Sequence, residues 1–320
     1  MKYVLSIILL MFAGYEICRG QFAPDNSADG AEIILHTKTG DIFGTVLLPG
    51  SLQKKIPVAL IIAGSGPTDR DGNNPMMKND MYKKLATGLV KHNIATVRYD
   101  KRGIAASMEA GISEKDLRFE NYVDDARQWI DLLKNDEQFS KVTVIGHSEG
   151  SLTGLLAAAE SNVDEFISIA GPGRTADELL KEQLSSQPQA VRDYAFPILD
   201  SLKNDVVTKN ILPMYAALLR ESVQPYLISW FKYNPCEAVK KLNIPILILQ
   251  GTNDAQVKIS DAELLHKANP ASKLILFENV NHILRKITGN TEANIASYGN
   301  SLLPIDNELI NRVAEFILSN

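Results

Sequence analysis

Residues 142–156 read VTVIGHSEGSLTGLL, and this stretch is the most informative in the chain. A β-branched apolar run leads into the segment GHSEG, and a run of small and apolar residues follows it. This pattern predicts a buried strand, a sharp turn and a helix, with Ser148 at the turn. Gly146 and Gly150 would let the strand and the helix approach closely, and the turn would project the Ser148 hydroxyl above a sheet. The structural alternative is that Ser148 only caps the helix.

Short apolar runs alternate with helical patterns along most of the chain. Strands are predicted at residues 31–37, 41–50, 56–64, 94–100, 141–148, 165–171, 244–251 and 272–280, and helices at 80–92, 119–133, 150–161, 260–268 and 307–318. This alternation predicts an α/β fold, with a mostly parallel sheet and helices on both faces. Residues 175–241 interrupt it with a helical pattern. We interpret them as a cap inserted over the carboxyl ends of the strands.

Composition and the N-terminal residues limit the class of protein. The 320 residues are 45% hydrophobic and 22% charged, as in a globular protein, and the net charge of −5 argues against a nucleic-acid partner. Lys2, a short apolar run and a polar tail ending at Gly20 predict a signal peptide at residues 1–20, and therefore a secreted or periplasmic protein without stable membrane insertion. Cleavage after Gly20 would remove Cys18, so Cys236 would have no intramolecular disulfide partner. Cys/His spacing typical of zinc sites is absent from the sequence.

A serine nucleophile needs a general base, and that base needs an acid to orient it. His282 lies in the loop NVNHIL after a late strand, at the edge where catalytic loops of parallel sheets gather. Asp254 follows the predicted strand at residues 244–251 and is the candidate acid, with a purely turn-forming role as the alternative. The order Ser148, Asp254, His282 is the one expected for this kind of nucleophile turn. His147 lies beside Ser148, and we expect its side chain to point elsewhere and to take no part.

The oxyanion of an acyl-transfer reaction needs backbone N–H donors. We assign one to the amide of Glu149, which would act through its backbone rather than its carboxylate. The other is assigned to Ser65, with Gly66 as the alternative, in the glycine-rich loop at residues 63–73. Asp69, Arg70 and Asp71 are expected to orient this loop or to line the pocket, with a surface charge cluster as the alternative. Asp100 and Arg102 stand at the end of the predicted strand at residues 94–100 and just after it, and we expect them to pin loops through a salt bridge.

Taken together, these motifs resemble those of the α/β-hydrolases. AGSGP, YDKRG, GHSEG, GTNDAQV and NVNHIL stand in the order found in that superfamily. The resemblance covers roughly residues 31–320 and is strongest to bacterial serine esterases related to the serine aminopeptidase and monoglyceride-lipase branch. Its usual His-Gly pair is replaced by Ala63-Gly64, which keeps the backbone role but removes a side chain. The resemblance implies an α/β-hydrolase domain over residues 21–320, with a helical cap insertion at about residues 175–241.

The expected function is that of a serine hydrolase that cleaves small-molecule carboxylic esters with short to medium acyl chains, and that needs no cofactor and no metal. One alternative is a serine aminopeptidase or amidase, which would need a carboxylate facing the site to bind a free amino group. The cap offers five candidates for this role: Glu178, Glu182, Asp193, Asp200 and Asp205. The least expected alternative is a non-catalytic binding protein, since such proteins usually lack a triad member. The sequence leaves the oligomeric state open.

Overall fold

The computed structural model describes residues 30–50 and 54–320. The predicted signal peptide at residues 1–20, with its cleavage after Gly20, lies outside the described residues. The strands are β1 Ala31–Thr37, β2 Gly40–Leu47, β3 Ile56–Ile62, β4 Ala95–Tyr99, β5 Phe139–His147, β6 Glu165–Ile169, β7 Ile246–Gly251 and β8 Lys273–Phe277. The α-helices are α1 Met81–Val90, α2 Phe119–Lys134, α3 Glu149–Ala159, α4 Ala176–Leu184, α5 Gln189–Lys203, α6 Ala216–Leu219, α7 Gln224–Phe231, α8 Pro235–Val239, α9 Ile259–Ala268, α10 Thr291–Ser297 and α11 Asn307–Ser319. Three short 3₁₀ helices lie at Ala105–Ala110, Glu114–Asp116 and Pro213–Tyr215.

The eight strands form one sheet in the order β1-β2-β4-β3-β5-β6-β7-β8. The β1–β2 hairpin is antiparallel, as is the pairing of β2 with β4, whereas every pairing from β4 across to β8 is parallel. Every residue of β4, β6 and β7 is buried, because helices cover both faces of the sheet. The predicted α/β fold with a mostly parallel sheet is therefore confirmed.

Two hydrophobic clusters flank the sheet, one on each face. One cluster joins α2, α3 and helices of the segment after β6, and the other joins α1 and α11. In α2 an apolar stripe is buried, made of Phe119, Val123, Ala126, Ile130 and Leu133. Trp129 is buried as well, and it stacks on Tyr99 with ring centroids 5.3 Å apart. Trp129 falls on this stripe because it lies three residues after the buried Ala126.

The segment between β6 and β7 consists of helices α4 to α8 and one 3₁₀ turn. Across residues 175–241, all of which the structure describes, there is no strand. The segment is anchored to α2, where Phe119 stacks on Trp230 of α7 with ring centroids 6.0 Å apart. We refer to residues 175–241 as the cap segment. No helix in the described ranges is long and apolar enough to cross a membrane.

Candidate active site

Ser148 stands between the end of β5 and the start of α3, in a backbone conformation that side chains rarely adopt (φ 55°, ψ −123°). Its side chain makes no capping hydrogen bond to α3, which removes the helix-cap alternative. A Cβ added at Gly150 would lie 2.5 Å from the Ala63 carbonyl oxygen, and one at Gly146 would lie 2.5 Å from Ser151 Cα. The sequence therefore needs glycine at both positions to bring β3, β5 and α3 this close around a strained serine.

Asp254 and His282 are in direct contact, although they come from different loops at the carboxyl edge of the sheet. His282 Nδ1 lies 2.7 Å from Asp254 Oδ2. Asp254 Oδ1 accepts the backbone N–H groups of Gln256 and Val257 at 2.7 and 2.9 Å. Burial alone would raise the pKa of Asp254, but His282 and these two N–H groups hold that pKa below its usual value. The ionised carboxylate thus fixes the proton of a neutral His282 on Nδ1 and leaves Nε2 as a proton acceptor.

Ser148 and His282 line the same cavity, which has a volume of about 230 Å³. Ser65, the predicted oxyanion donor, lines it as well. The remaining wall is mostly apolar and includes Met76, Met77, Met81, Tyr82, Ile283, Ile295 and Tyr298. We call it the nucleophile cavity. The structure therefore brings the predicted nucleophile, base, acid and one oxyanion residue to a single place.

The two predicted oxyanion residues come from two different elements near Ser148, the helix α3 and the loop after β3. Glu149 is the first residue of α3, so its N–H has no acceptor within that helix. The loop after β3 runs directly against the nucleophile, since a Cβ on Gly64 would lie 3.0 Å from Ser148 Cβ. The Gly64 N–H is already donated to the Tyr82 hydroxyl at 2.8 Å. Ser65 and Gly66, the two predicted sources of the second donor, both line the nucleophile cavity.

His147 takes a structural part that we did not expect from the sequence. Its Nε2 lies 2.9 Å from the carbonyl oxygen of His282, and its Nδ1 lies 2.9 Å from the hydroxyl of Tyr82. A carbonyl only accepts, so Nε2 carries the proton, Nδ1 accepts from Tyr82, and Tyr82 accepts from Gly64 N–H. Burial lowers the pKa of His147 to about 3, which keeps the ring neutral. This relay joins the nucleophile turn to both the base loop and the oxyanion loop.

Three ion pairs, one of them fully buried and two partly buried, hold the loop after β3 and the loop after β4. The pairs are Arg70–Asp100 at 2.7 Å, Arg98–Asp71 at 2.7 Å and Arg102–Asp125. Asp100 and Arg102 thus pair with residues on other elements rather than with each other. Asp69 accepts the backbone N–H groups of Asp71 and Asn73, which closes the turn, and burial raises its pKa to about 6. Of the two interpretations of these charges, the structure favours loop orientation over a surface cluster.

The Glu149 carboxylate has partners of its own, so its role is not confined to the backbone. It accepts the hydroxyl of Tyr226, a cap-segment residue, at 2.9 Å, and Lys101 Nζ lies 3.9 Å away. Burial raises the pKa of Glu149 and lowers that of Lys101. Both residues line a second cavity of about 570 Å³, which we call the cap cavity. Tyr226 lies 77 residues from Glu149 in the chain, so no local pattern in the sequence could have indicated this contact.

The five carboxylates proposed for binding an amino group do not line either cavity. Asp200 is paired with Lys181, and Glu178 accepts the Thr175 N–H at the start of α4. Among the residues that the structure describes, no group of three or more His, Cys, Asp or Glu side chains could hold a metal ion.

Comparisons with known proteins give the same fold. A family model described as serine aminopeptidase S33 matches residues 77–210. Esterase EstD of Thermotoga maritima is 25% identical over 291 residues, which are 85% of this chain but only 65% of that protein. Human serine hydrolase BPHL is 28% identical over 258 residues, or 78% of this chain and 75% of that one. Among solved structures, Est1E from Butyrivibrio proteoclasticus superimposes with a TM-score of 0.59 at 16% identity, covering 90% of this chain and 98% of that chain.

The sheet order, the strand–serine–helix turn and these comparisons define the class of structure: the chain has the α/β-hydrolase fold. Its partial sequence matches are to the serine aminopeptidase S33 family model and to esterase EstD.

Proposed function

We propose that the protein hydrolyses carboxylic esters of small molecules, with Ser148 as the nucleophile, His282 as the general base and Asp254 as the orienting acid. The observation that carries this proposal is the strained Ser148, in one cavity with a His282 whose Nδ1 is 2.7 Å from a buried carboxylate. Resemblance to esterase EstD supports an ester as the substrate. No cofactor enters the proposed reaction.

The proposed reaction follows from the protonation states of the site. His282 Nε2 takes the Ser148 hydroxyl proton while the oxygen attacks the acyl carbon, and Asp254 stabilises the imidazolium that forms. The N–H groups of Glu149 and Ser65 receive the negative charge of the tetrahedral intermediate. His282 then returns the proton to the leaving alcohol. A water molecule, activated in the same way, releases the acid from the acyl-enzyme. The cavity volumes fit short to medium acyl chains.

A serine aminopeptidase or amidase is the second candidate, because the matching family model carries that description. Against it stands the lack of a suitable carboxylate. The two acidic side chains that line the cap cavity are Glu149, which is bonded to Tyr226, and Glu114, which is paired with Arg220. Comparing p-nitrophenyl esters with aminoacyl p-nitroanilides separates the two candidates. Turnover of anilides without turnover of esters would refute the esterase proposal.

The nucleophile itself is tested by covalent labelling. A fluorophosphonate probe should label the wild-type protein, and Ser148→Ala should abolish both labelling and ester turnover while leaving the thermal melting profile unchanged. Ser151→Ala is the matched control, because Ser151 lies three residues further along and its hydroxyl bonds to Ser168 at 2.8 Å instead of lining the nucleophile cavity. Labelling that persists in Ser148→Ala would place the nucleophile elsewhere. A wild-type protein that neither labels nor turns over any ester would favour a binding protein.

A further inference from the structure

Two cavities that differ in polarity meet at the oxyanion loop, where Gly66 and Pro67 line both of them. The nucleophile cavity has mostly apolar walls. The cap cavity is larger and has a polar wall, which includes Lys101, Arg102, Glu114, Tyr122, Glu149, Arg220 and Tyr226. Glu149 directly follows the nucleophile in the chain, so the cap cavity begins next to the reacting atoms.

The position of His282 decides which part of an ester enters which cavity. In the proposed reaction His282 protonates the leaving oxygen, so the alcohol part must lie on the side of that histidine. His282 lines the nucleophile cavity and is absent from the lining of the cap cavity. The acyl chain points away from the leaving oxygen and therefore enters the cap cavity, past Glu149. This step rests on the proposed esterase function.

The charges around the cap cavity are balanced. Arg102 pairs with Asp125, Arg220 pairs with Glu114, and Lys101 lies 3.9 Å from Glu149. Each positive side chain thus has a negative neighbour. A charged ligand group placed among them would be buried with no counter-charge of its own, which costs free energy. A neutral group avoids this cost.

Lys101 nevertheless offers hydrogen-bond donors to a ligand. Its side chain is only 6% exposed, and its ammonium has three N–H groups. One of them is donated to the Gly64 carbonyl oxygen at 2.7 Å. The Glu149 carboxylate, at 3.9 Å, lies beyond hydrogen-bond distance, and the centre of the Tyr122 ring lies 5.4 Å from Nζ. In the described part of the chain, Gly64 is the only hydrogen-bond acceptor recorded for this ammonium.

We propose that the cap cavity is the acyl-binding subsite and that it favours acyl chains carrying a neutral oxygen, which accepts a hydrogen bond from Lys101. An ether, carbonyl or hydroxyl oxygen satisfies a buried N–H donor that a hydrocarbon chain leaves unpaired. Lys101 also donates a hydrogen bond to the carbonyl oxygen of Gly64, the residue before Ser65. Recognition of the acyl group and support of the oxyanion loop thus involve the same side chain.

The experiment compares p-nitrophenyl esters of equal chain length. Heptanoate is the apolar reference, 5-methoxypentanoate and 4-ethoxybutanoate carry a neutral oxygen at two positions, monoadipate is anionic and 6-aminohexanoate is cationic. Because a hydrogen bond to a charged donor contributes roughly 1.5–3 kcal/mol, kcat/KM of the wild-type protein should be about tenfold higher for at least one ether than for heptanoate. Both charged esters should be poorer substrates than heptanoate. Heptanoate or a charged ester as the best substrate would overturn the proposal.

Two variants test the assignment to Lys101 and to the cap cavity. Lys101→Met keeps an unbranched side chain, one atom shorter, and should remove the preference for ethers, a change of about tenfold in the ether-to-heptanoate ratio. Ile112→Trp narrows the cap cavity and should lower turnover of heptanoate more than that of acetate. Ile295→Trp, the matched change in the nucleophile cavity, should leave the acetate-to-heptanoate ratio as it is. An unchanged ether preference in Lys101→Met, or an equal effect of both tryptophans on the ratio, would refute the subsite. Failure of the wild-type protein to hydrolyse any ester would instead refute the proposed function on which it rests.

Discussion

Replacing Tyr82 with phenylalanine tests whether the relay through His147 positions the oxyanion loop. The hydroxyl of Tyr82 accepts the Gly64 N–H at 2.8 Å and donates to His147 Nδ1 at 2.9 Å. Phenylalanine keeps the ring and removes both bonds. Gly64 directly precedes Ser65, so the loop loses a fixed point one residue away from the predicted oxyanion donor.

The expected size of the effect follows from these two bonds. Each buried polar group left without a partner costs about 1–3 kcal/mol, so Tyr82→Phe should lower the free energy of unfolding by about 2–6 kcal/mol. Deleting an oxyanion donor costs about 10²–10³ in kcat. Tyr82→Phe displaces a donor without deleting it. We therefore expect kcat to fall by roughly 10- to 100-fold, with KM changing by less than about threefold, since the loss is felt mainly in the transition state.

The assay measures kcat and KM with p-nitrophenyl butyrate, at a temperature well below the melting point of each variant. Tyr194→Phe is the matched control, because the Tyr194 hydroxyl also accepts a backbone N–H, from Leu212 at 2.9 Å, but lies in the cap segment outside both cavities. The control should retain wild-type kcat. A Tyr82→Phe variant that is less stable but has unchanged kcat would show that the relay only stabilises the fold, and our reasoning about catalysis would then be wrong.

Two further predictions concern stability. Burial lowers the pKa of His147 to about 3 from an ordinary value near 6.5. Between these two pH values the unfolded chain binds a proton at His147 and the folded chain does not. The contribution of His147 to the stability of the fold is therefore complete above about pH 6.5 and is lost as the pH falls toward 3. His147→Gln should have a lower free energy of unfolding than wild type in urea unfolding experiments, and this difference should shrink by roughly 1.4 kcal/mol per pH unit between pH 6 and 4. A difference that stays constant with pH would contradict a buried neutral ring. Gly150→Ala should destabilise the protein by more than about 3 kcal/mol in thermal melts, because the new Cβ meets the backbone of β3, whereas Gly299→Ala, with nothing within 4 Å, should melt like wild type.

The pH dependence of stability has to be measured as the difference between the wild-type protein and His147→Gln. Burial raises the pKa of Asp69 and of Asp125 to about 6, well above the ordinary value of 3.8. For these carboxyls the folded chain binds protons more readily, so their contribution to stability grows as the pH falls, opposite in sign to that of His147. The same two groups are present in His147→Gln, and their contributions cancel when its stability is subtracted from that of the wild-type protein.

The parts of the fold that follow local rules were predictable from the sequence. Buried strands are short apolar runs, and α2 has an apolar stripe at helical spacing, because these patterns record burial directly. The short helix α10 was not predicted, since Thr291–Ser297 has no apolar period. The Asn290 side chain starts it by accepting the Ala293 N–H. This helix brings Ile295 and Tyr298 to the nucleophile cavity, so part of the cavity wall could not be anticipated.

The candidate site likewise has residues that local sequence rules predict and contacts that they do not. Ser148, Asp254 and His282 each stand in a loop whose position a strand fixes, so their convergence follows from a parallel sheet. The contacts of His147 and Lys101 follow from no such rule. His147 reaches a carbonyl 135 residues away, and Lys101 reaches one 37 residues away. Periodicity identifies which side chains are buried, but not which distant polar group each of them meets.

Glu149 belongs both to the predicted oxyanion site and to the contact with the cap segment. Its backbone N–H, at the start of α3, faces the developing oxyanion in the proposed reaction, while its carboxylate accepts the hydroxyl of Tyr226 on α7. Both groups belong to the residue that directly follows the strained turn at Ser148. A shift of α7 therefore acts on the residue that follows the nucleophile, as well as on the wall of the cap cavity. If Glu149 supplies the oxyanion donor as proposed, the position of the cap segment and the geometry of the oxyanion site are coupled through this one side chain.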